Sequence, residues 1–194
     1  NVAGSAVLFN HCIVNTANFT NCIVKNCSYL DVIPGDSRGG TFRTVGNTTS
    51  IMTLTSCTFT NNESCTSGGG VYWNAANVRN SPNTNEPIDA KIAINQCTFI
   101  NNRALERQGG GVFCEAIMTV TGCLFEQNHA EGMGGGIAMV VYANDARMMK
   151  DGDKTHLMLD PTTEIKNNTA TNGGGIALRA NATPAIPNDS SIAH

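Results

Sequence analysis

Charge is scarce in this sequence. Only 14% of its 194 residues are Asp, Glu, Lys or Arg, and 12 basic against 15 acidic residues leave a net charge of -3. Nucleic-acid binding relies on clustered Lys and Arg, so it has no electrostatic basis here. With 41% hydrophobic residues the chain is not a disordered charged tail either. Long apolar runs are missing too. No stretch of 18 apolar residues occurs, which excludes a membrane-spanning helix. The 3.6-residue spacing of an amphipathic helix is also absent, while glycine and β-branched residues dominate. The chain starts at Asn1 with no charged-then-apolar segment before it, and is expected to be a processed mature protein or a piece of a longer repetitive one.

Eight cysteines are present, together with seven N-x-S/T sequons at Asn18, Asn26, Asn47, Asn62, Asn167, Asn181 and Asn188. Both features point to an oxidising, glycosylating route and an extracellular or cell-surface location.

The most informative feature is self-similarity. CTFTNN from Cys57, CTFINN from Cys97, CLFEQN from Cys123 and TEIKNN from Thr163 are equivalent. Each is followed by a glycine triplet and two mostly apolar residues: Gly68, Gly69, Gly70 before VY; Gly109, Gly110, Gly111 before VF; Gly134, Gly135, Gly136 before IA; Gly173, Gly174, Gly175 before IA. A decayed copy starts near Cys22 and a fragment near Cys12. Upstream of each copy lies an apolar alternation, IMTL, KIAI, IMTV or HLML. Each copy thus carries three strand-like runs. The copies begin near 12, 22, 57, 97, 123 and 163, so the last three intervals are 40, 26 and 40 residues and 26 is the bare unit. The additional residues fall at one place, as polar insertions over 74–90 and 140–154. Short strands joined by recurring bends predict an all-β fold, a right-handed parallel β-helix of about five to six coils, forming a single domain over 1–194.

Stacked coils place equivalent residues about 4.8 Å apart. Phe59, Phe99, Phe125 and Ile165 are then expected to form an interior apolar column, with Cys57, Cys97 and Cys123 a parallel column of buried thiols. Asn62, Asn102, Asn128 and Asn168 are expected to form an amide ladder at a bend. A ladder amide cannot carry a glycan, so Asn62 is expected to be bare and Asn47, Asn181 and Asn188 are the favoured glycan sites. The triplet glycines are expected to be corners, with positive φ and close backbone approach. Cys27, Cys65 and Cys114 break the cysteine column. Cys27 with Cys65 is the preferred disulfide, on the expectation that they occupy related bends of adjacent coils.

The paired F-x-x-N and G-G-x-aliphatic motifs resemble the repeat of the chlamydial polymorphic outer membrane proteins, which also occurs in protist surface proteins. The first half matches at Phe59 with Asn62, Phe99 with Asn102, Phe125 with Asn128 and, more loosely, Ile165 with Asn168. The second matches at Gly68 to Val71, Gly109 to Val112, Gly134 to Ile137 and Gly173 to Ile176. The resemblance spans about residues 20 to 180 and implies a right-handed β-helical surface protein, several relatives acting as adhesins. The chain departs from that family in its long insertions and in lacking a membrane barrel segment.

Chemistry-bearing constellations are few. Glu106 and Glu131 each precede a glycine triplet by three residues and are expected to stack, with Arg103, Arg107 and His129 nearby. A solvated bend is the plainer account, since a glycosidase pair needs a sugar-holding face. Asp151 and Asp153 lack a complete calcium loop, and no second C-x-x-C pair supports zinc. His11, His129, His156 and His194 occupy unrelated repeat positions. Trp73, the only tryptophan, is expected to pack in the core or against an insertion. No catalytic, cofactor or metal site is assigned. The leading expectation is a non-enzymatic structural or adhesive protein that pairs with copies of itself, end to end or laterally, into a filament or surface layer. Environmental glycans or proteins are further candidate partners. A carbohydrate-binding or carbohydrate-active β-helix is the alternative, and a phage-like tail fibre a third.

Overall fold

In the computed structural model, residues 7–9, 16–29, 40–45, 51–74, 90–115, 117–142 and 157–181 are described, and every regular element among them is a β-strand. After β1 (Val7–Phe9) come five coils of four strands each. The first holds β2 (Thr16–Thr20), β3 (Ile23–Lys25), β4 (Ser28–Tyr29) and β5 (Phe42–Val45). The second holds β6 (Ile51–Thr55), β7 (Thr58–Thr60), β8 (Glu63–Ser64) and β9 (Val71–Asn74). The third holds β10 (Lys91–Asn95), β11 (Thr98–Ile100), β12 (Arg103–Ala104) and β13 (Val112–Glu115). The fourth holds β14 (Ile117–Thr121), β15 (Leu124–Glu126), β16 (His129–Met133) and β17 (Ile137–Tyr142). The fifth holds β18 (Leu157–Leu159), β19 (Glu164–Lys166), β20 (Thr169–Asn172) and β21 (Ile176–Asn181).

Every strand pairs in parallel with its counterpart in the next coil. Four sheets result, three of five strands and one of six that includes β1. The chain is a parallel β-helix. Each coil has four faces, where the sequence reading finds three. The additional strands, β4, β8 and β12, are two residues long and send a single side chain inward. Two residues cannot display an alternation, so the sequence carries no period-2 signal for them.

The other faces follow from alternation. Met52 and Leu54, Ile92 and Ile94, and Met118 and Val120 are the inward residues of the first sheet, all fully buried. In the second sheet the inward residue is Phe59, Phe99 or Phe125. Phe59 stacks on Phe99 with ring centroids 4.9 Å apart, and Phe99 on Phe125 at 4.7 Å, both pairs tilted by only 3°. Burying each ring stabilises the fold by about 2 kcal/mol, and each stacked pair adds roughly 0.5–1.5 kcal/mol. Ile165 continues the column, half-buried in the last coil.

Two corners of each of the first four coils, and one of the fifth, use left-handed backbone at residues other than the triplet glycines. The chain turns from the first to the second sheet at Asn21, Ser56, Gln96 and Gly122, and from the second to the third at Asn26, Asn61, Asn101, Gln127 and Asn167. Their φ values lie between 52° and 60°, a region that asparagine and glycine enter most readily.

The triplets have divided roles. Only the first glycine of each has positive φ: Gly68 at 69°, Gly109 at 70°, Gly134 at 63° and Gly173 at 59°. The second glycine is required by crowding instead. A Cβ on Gly110 would lie 2.4 Å from the carbonyl oxygens of both Gly135 and His129. The expectation of positive φ for the whole triplet is corrected accordingly.

At the corner between the fourth sheet and the next coil, the bare unit passes from β13 to β14 across residue 116 alone. The first insertion leaves and returns at that corner, where Asn74 and Ala90 are both buried. Residues 75–89 and 143–156 lie outside the described residues.

Candidate functional site

Asparagine pairs build two ladders on one corner. The first member of each pair takes the left-handed bend and points outward, and the second points into the coil. Asn62, Asn102 and Asn128 are fully buried. The Asn62 backbone N–H and Nδ2 both donate to Asn102 Oδ1, at 3.2 and 2.9 Å. Asn102 donates in the same way to Asn128 Oδ1 (3.0 and 2.9 Å), and Asn128 to Asn168 Oδ1 (both 2.9 Å). The second hydrogen of each Nδ2 goes back to a carbonyl of the preceding coil: Val24 for Asn62, Phe59 for Asn102, Phe99 for Asn128 and Phe125 for Asn168. The amides of Asn102 and Asn128 therefore each use two donors and two acceptor sites, their full capacity. At the first coil Cys27 stands in the asparagine position, and its backbone N–H donates to Asn62 Oδ1 at 3.1 Å. Outside, Asn61 Nδ2 donates to Asn26 Oδ1 (3.3 Å) and Asn101 Nδ2 to Asn61 Oδ1 (2.8 Å).

The thiol column is equally regular. Cys57 N–H donates to Cys97 Sγ and Cys97 N–H to Cys123 Sγ, at 3.4 and 3.3 Å. Cys57, Cys97 and Cys123 each donate Sγ–H to the carbonyl two residues earlier, of Thr55, Asn95 and Thr121. Burial pushes the Cys57 thiol up. Hydrogen bonding between Cys97 and Cys123 raises the first and lowers the second. These sulfurs close bends of the backbone.

Cys27 and Cys65 do not form a disulfide. Both are free thiols, as are Cys22, Cys57, Cys97, Cys114 and Cys123. Their bends are not equivalent: Cys27 aligns with Asn62, and Cys65 lies three residues farther along the coil, buried after β8.

Glu106 and Glu131 do not stack. Arg103 pairs with His129 and Ala104 with Ala130, and the paired register ends there. The strands rejoin where Gln108 meets Met133. Three residues in one coil thus face two in the next, and Glu106 falls in the longer stretch. Counting back from the glycines could not reveal this, because the loss of register lies between the ladder and the triplet. Glu131 Oε1 instead contacts His129 Nε2 at 3.1 Å, while His129 Nδ1 meets Thr169 Oγ1 at 2.8 Å. Glu63 pairs with Arg103 on the same outward stripe, at 3.5 Å. Trp73 is buried in the main core. Among the described residues no group of three or more His, Cys, Asp or Glu is placed to hold a metal ion. Asp151, Asp153, His11, His156 and His194 lie outside the described residues, as do the sequons at Asn47 and Asn188 and the side chain of Asn181.

Among the described residues, no strand pairs with the outer side of the last coil. Strands β18, β19, β20 and β21 are the edge members of their sheets. Leu159 and Leu178 follow the inward positions of Val120 and Met139, yet are 38% and 46% exposed. In the first coil, by contrast, Val24 and Tyr29 are buried.

Residues 56–72 and 96–115 match the Chlamydia polymorphic membrane protein repeat. Two stretches of this chain are similar to that repeat. The two matched stretches begin at the left-handed residues Ser56 and Gln96, pass through the phenylalanine and the ladder asparagine, and end just beyond the glycine triplet. Each matched stretch thus runs from the first corner of a coil through its second and third strands into the fourth. The coils built on Cys123 and Thr163 repeat its geometry outside the matched residues. No curated protein and no solved structure gave a match. Among the described residues no helix is long and apolar enough to cross a membrane, a statement that does not bear on β-barrels.

Proposed function

We propose that this chain is a non-enzymatic structural and adhesive element of a cell surface, extracellular in location, which associates with copies of itself through the face of its last described coil. The repeat that it shares with the Chlamydia polymorphic membrane proteins supports a surface role. The observation that carries the reading is the use made of the repeated residues. Phenylalanines, ladder asparagines, thiols and glycines all serve contacts between coils, so the sequence is repeated for length and stiffness. The carboxylates that the carbohydrate-active alternative needs are out of register, and Glu131 is engaged with His129. Edge strands with apolar residues beside them favour pairing with another chain.

The test is sedimentation of the purified chain over a range of concentrations, with electron microscopy of the same samples. Concentration-dependent assembly into rods is expected, with an axial rise of about 25 Å per chain, from five coils at ~4.8 Å each. A monomer at every concentration overturns the self-association. Hydrolysis of a polysaccharide panel overturns the non-enzymatic reading.

A further inference from the structure

Seven sequons are identical as motifs but unequal in the fold. Asn18 lies on β2 and its side chain is exposed. Asn26 and Asn167 are exposed at equivalent left-handed bends of the first and fifth coils, φ 54° and 57°. They mark the two ends of the outward column Asn26, Asn61, Asn101, Gln127 and Asn167, about 19 Å apart at four coil spacings. Asn26 Oδ1 accepts from Asn61, which leaves its Nδ2 outside that bond. Asn62 differs in every respect. It has no exposed surface, and both hydrogens of its Nδ2 are bonded, to Val24 O at 3.0 Å and Asn102 Oδ1 at 2.9 Å.

We propose that Asn18, Asn26 and Asn167 are N-glycan acceptors, and that the coil itself bars Asn62, which carries the same signal. The transfer joins the asparagine Nδ2 to C1 of a sugar delivered on a polyprenyl diphosphate. The C1–O bond breaks, the diphosphate leaves with the electron pair, and the amide loses one proton to a base of the transferase. At Asn26 or Asn167 the product projects from the bend into solvent. At Asn62 the same product removes a ladder hydrogen and needs room where Asn102 and Val24 stand. A chain glycosylated there before folding cannot close its second coil. The choice among sites rests on geometry; only the meeting with a transferase rests on the surface reading.

The experiment separates these two by sending the full chain, fused to a secretion signal, through a eukaryotic secretory pathway. The secreted, folded fraction is treated with an N-glycan amidase, which converts each occupied Asn to Asp, and mapped by peptide mass. Conversion at Asn18, Asn26 and Asn167 with none at Asn62 is expected. The substitution Glu63→Thr sharpens the test, because it places a sequon on Asn61 while keeping that of Asn62. Its Asn61 should gain a glycan and the adjacent Asn62 should stay bare. A glycan on Asn62 in the folded fraction overturns the proposal, as does the absence of glycan from all three exposed asparagines.

Discussion

At the scale of single residues, neighbours in sequence carry opposite loads. Asn102 holds four hydrogen bonds with no contact to water, whereas Asn101 beside it holds one exposed amide bond and a left-handed bend. Asn102→Ala orphans the Asn62 donors and the Phe59 carbonyl, and is expected to cost roughly 3 kcal/mol or more. Asn101→Gly keeps the bend and is expected to stay within about 0.5 kcal/mol of the parent. Urea denaturation of both variants checks the contrast. Glycines divide in the same manner. Gly110→Ala drives a methyl into two carbonyl oxygens of the next coil and should abolish cooperative folding. Gly122→Ala makes only ordinary van der Waals contact, its nearest neighbour 3.6 Å away, and bears the strain of φ +60°, about 1 kcal/mol. Circular dichroism melts separate the two outcomes. Asp160 supplies an acid-sensitive element. Thr162 Oγ1, Gly122 N–H and Thr163 Oγ1 donate to its carboxylate and hold it at about 2, below the ordinary 3.8. A depressed folded value means that the carboxylate contributes stability above the ordinary value and loses it as pH falls toward 2. Asp160→Asn should weaken the fall of the melting temperature with pH over that window, a change read from melts at several pH values.

At the scale of strands and coils, the bare unit is modular. Residues 97–122 are one full turn, from the start of one C-x-F strand to the residue before the next. Deleting them joins Gln96 to Cys123 with each sheet shortened by one strand. The shortened chain should keep its β circular dichroism and unfold cooperatively, whereas removing only 97–121 leaves one residue too many and should not. The phenylalanine and asparagine columns were readable from the sequence because each recurs at a fixed offset from Cys57, Cys97 and Cys123. Features without such an offset were not. The two-residue strands β8 and β12 have no alternation to read, and the slip at Glu106 occurs where coils differ in length. The division of labour within a glycine triplet depends on the approach of His129 and Gly135 carbonyls, and identical letters cannot disclose it. Cys27 and Cys65 differ from these cases, since their unequal distances from Cys22 and Cys57 already place them at unlike positions of their copies.

At the scale of the whole molecule, the first and last described coils are unlike. The exposed Leu159 and Leu178 lie on the same terminal coil as four edge strands, so association should be sensitive there and indifferent elsewhere. Leu178→Asp is expected to shift self-association to at least tenfold higher concentration, since burying an unpaired carboxylate at a contact costs more than the 1.4 kcal/mol that a factor of ten represents. An equivalent charge at the outward Ile23 should leave the sedimentation profile unchanged.

The asparagine ladders have a consequence for how far such a rod can grow. The amide-to-amide bonds of the inner column run toward the last coil, from Asn62 to Asn102 to Asn128 to Asn168, and those of the outer column, in the first three coils, run toward the first, from Asn101 to Asn61 to Asn26. Their dipoles oppose along the axis. An α-helix accumulates half a unit charge at each end as its peptide dipoles align, but a coil added here brings two amide dipoles of opposite sense. Lengthening the solenoid therefore builds up little axial polarity from its side chains, and its ends can meet without an electrostatic preference of their own.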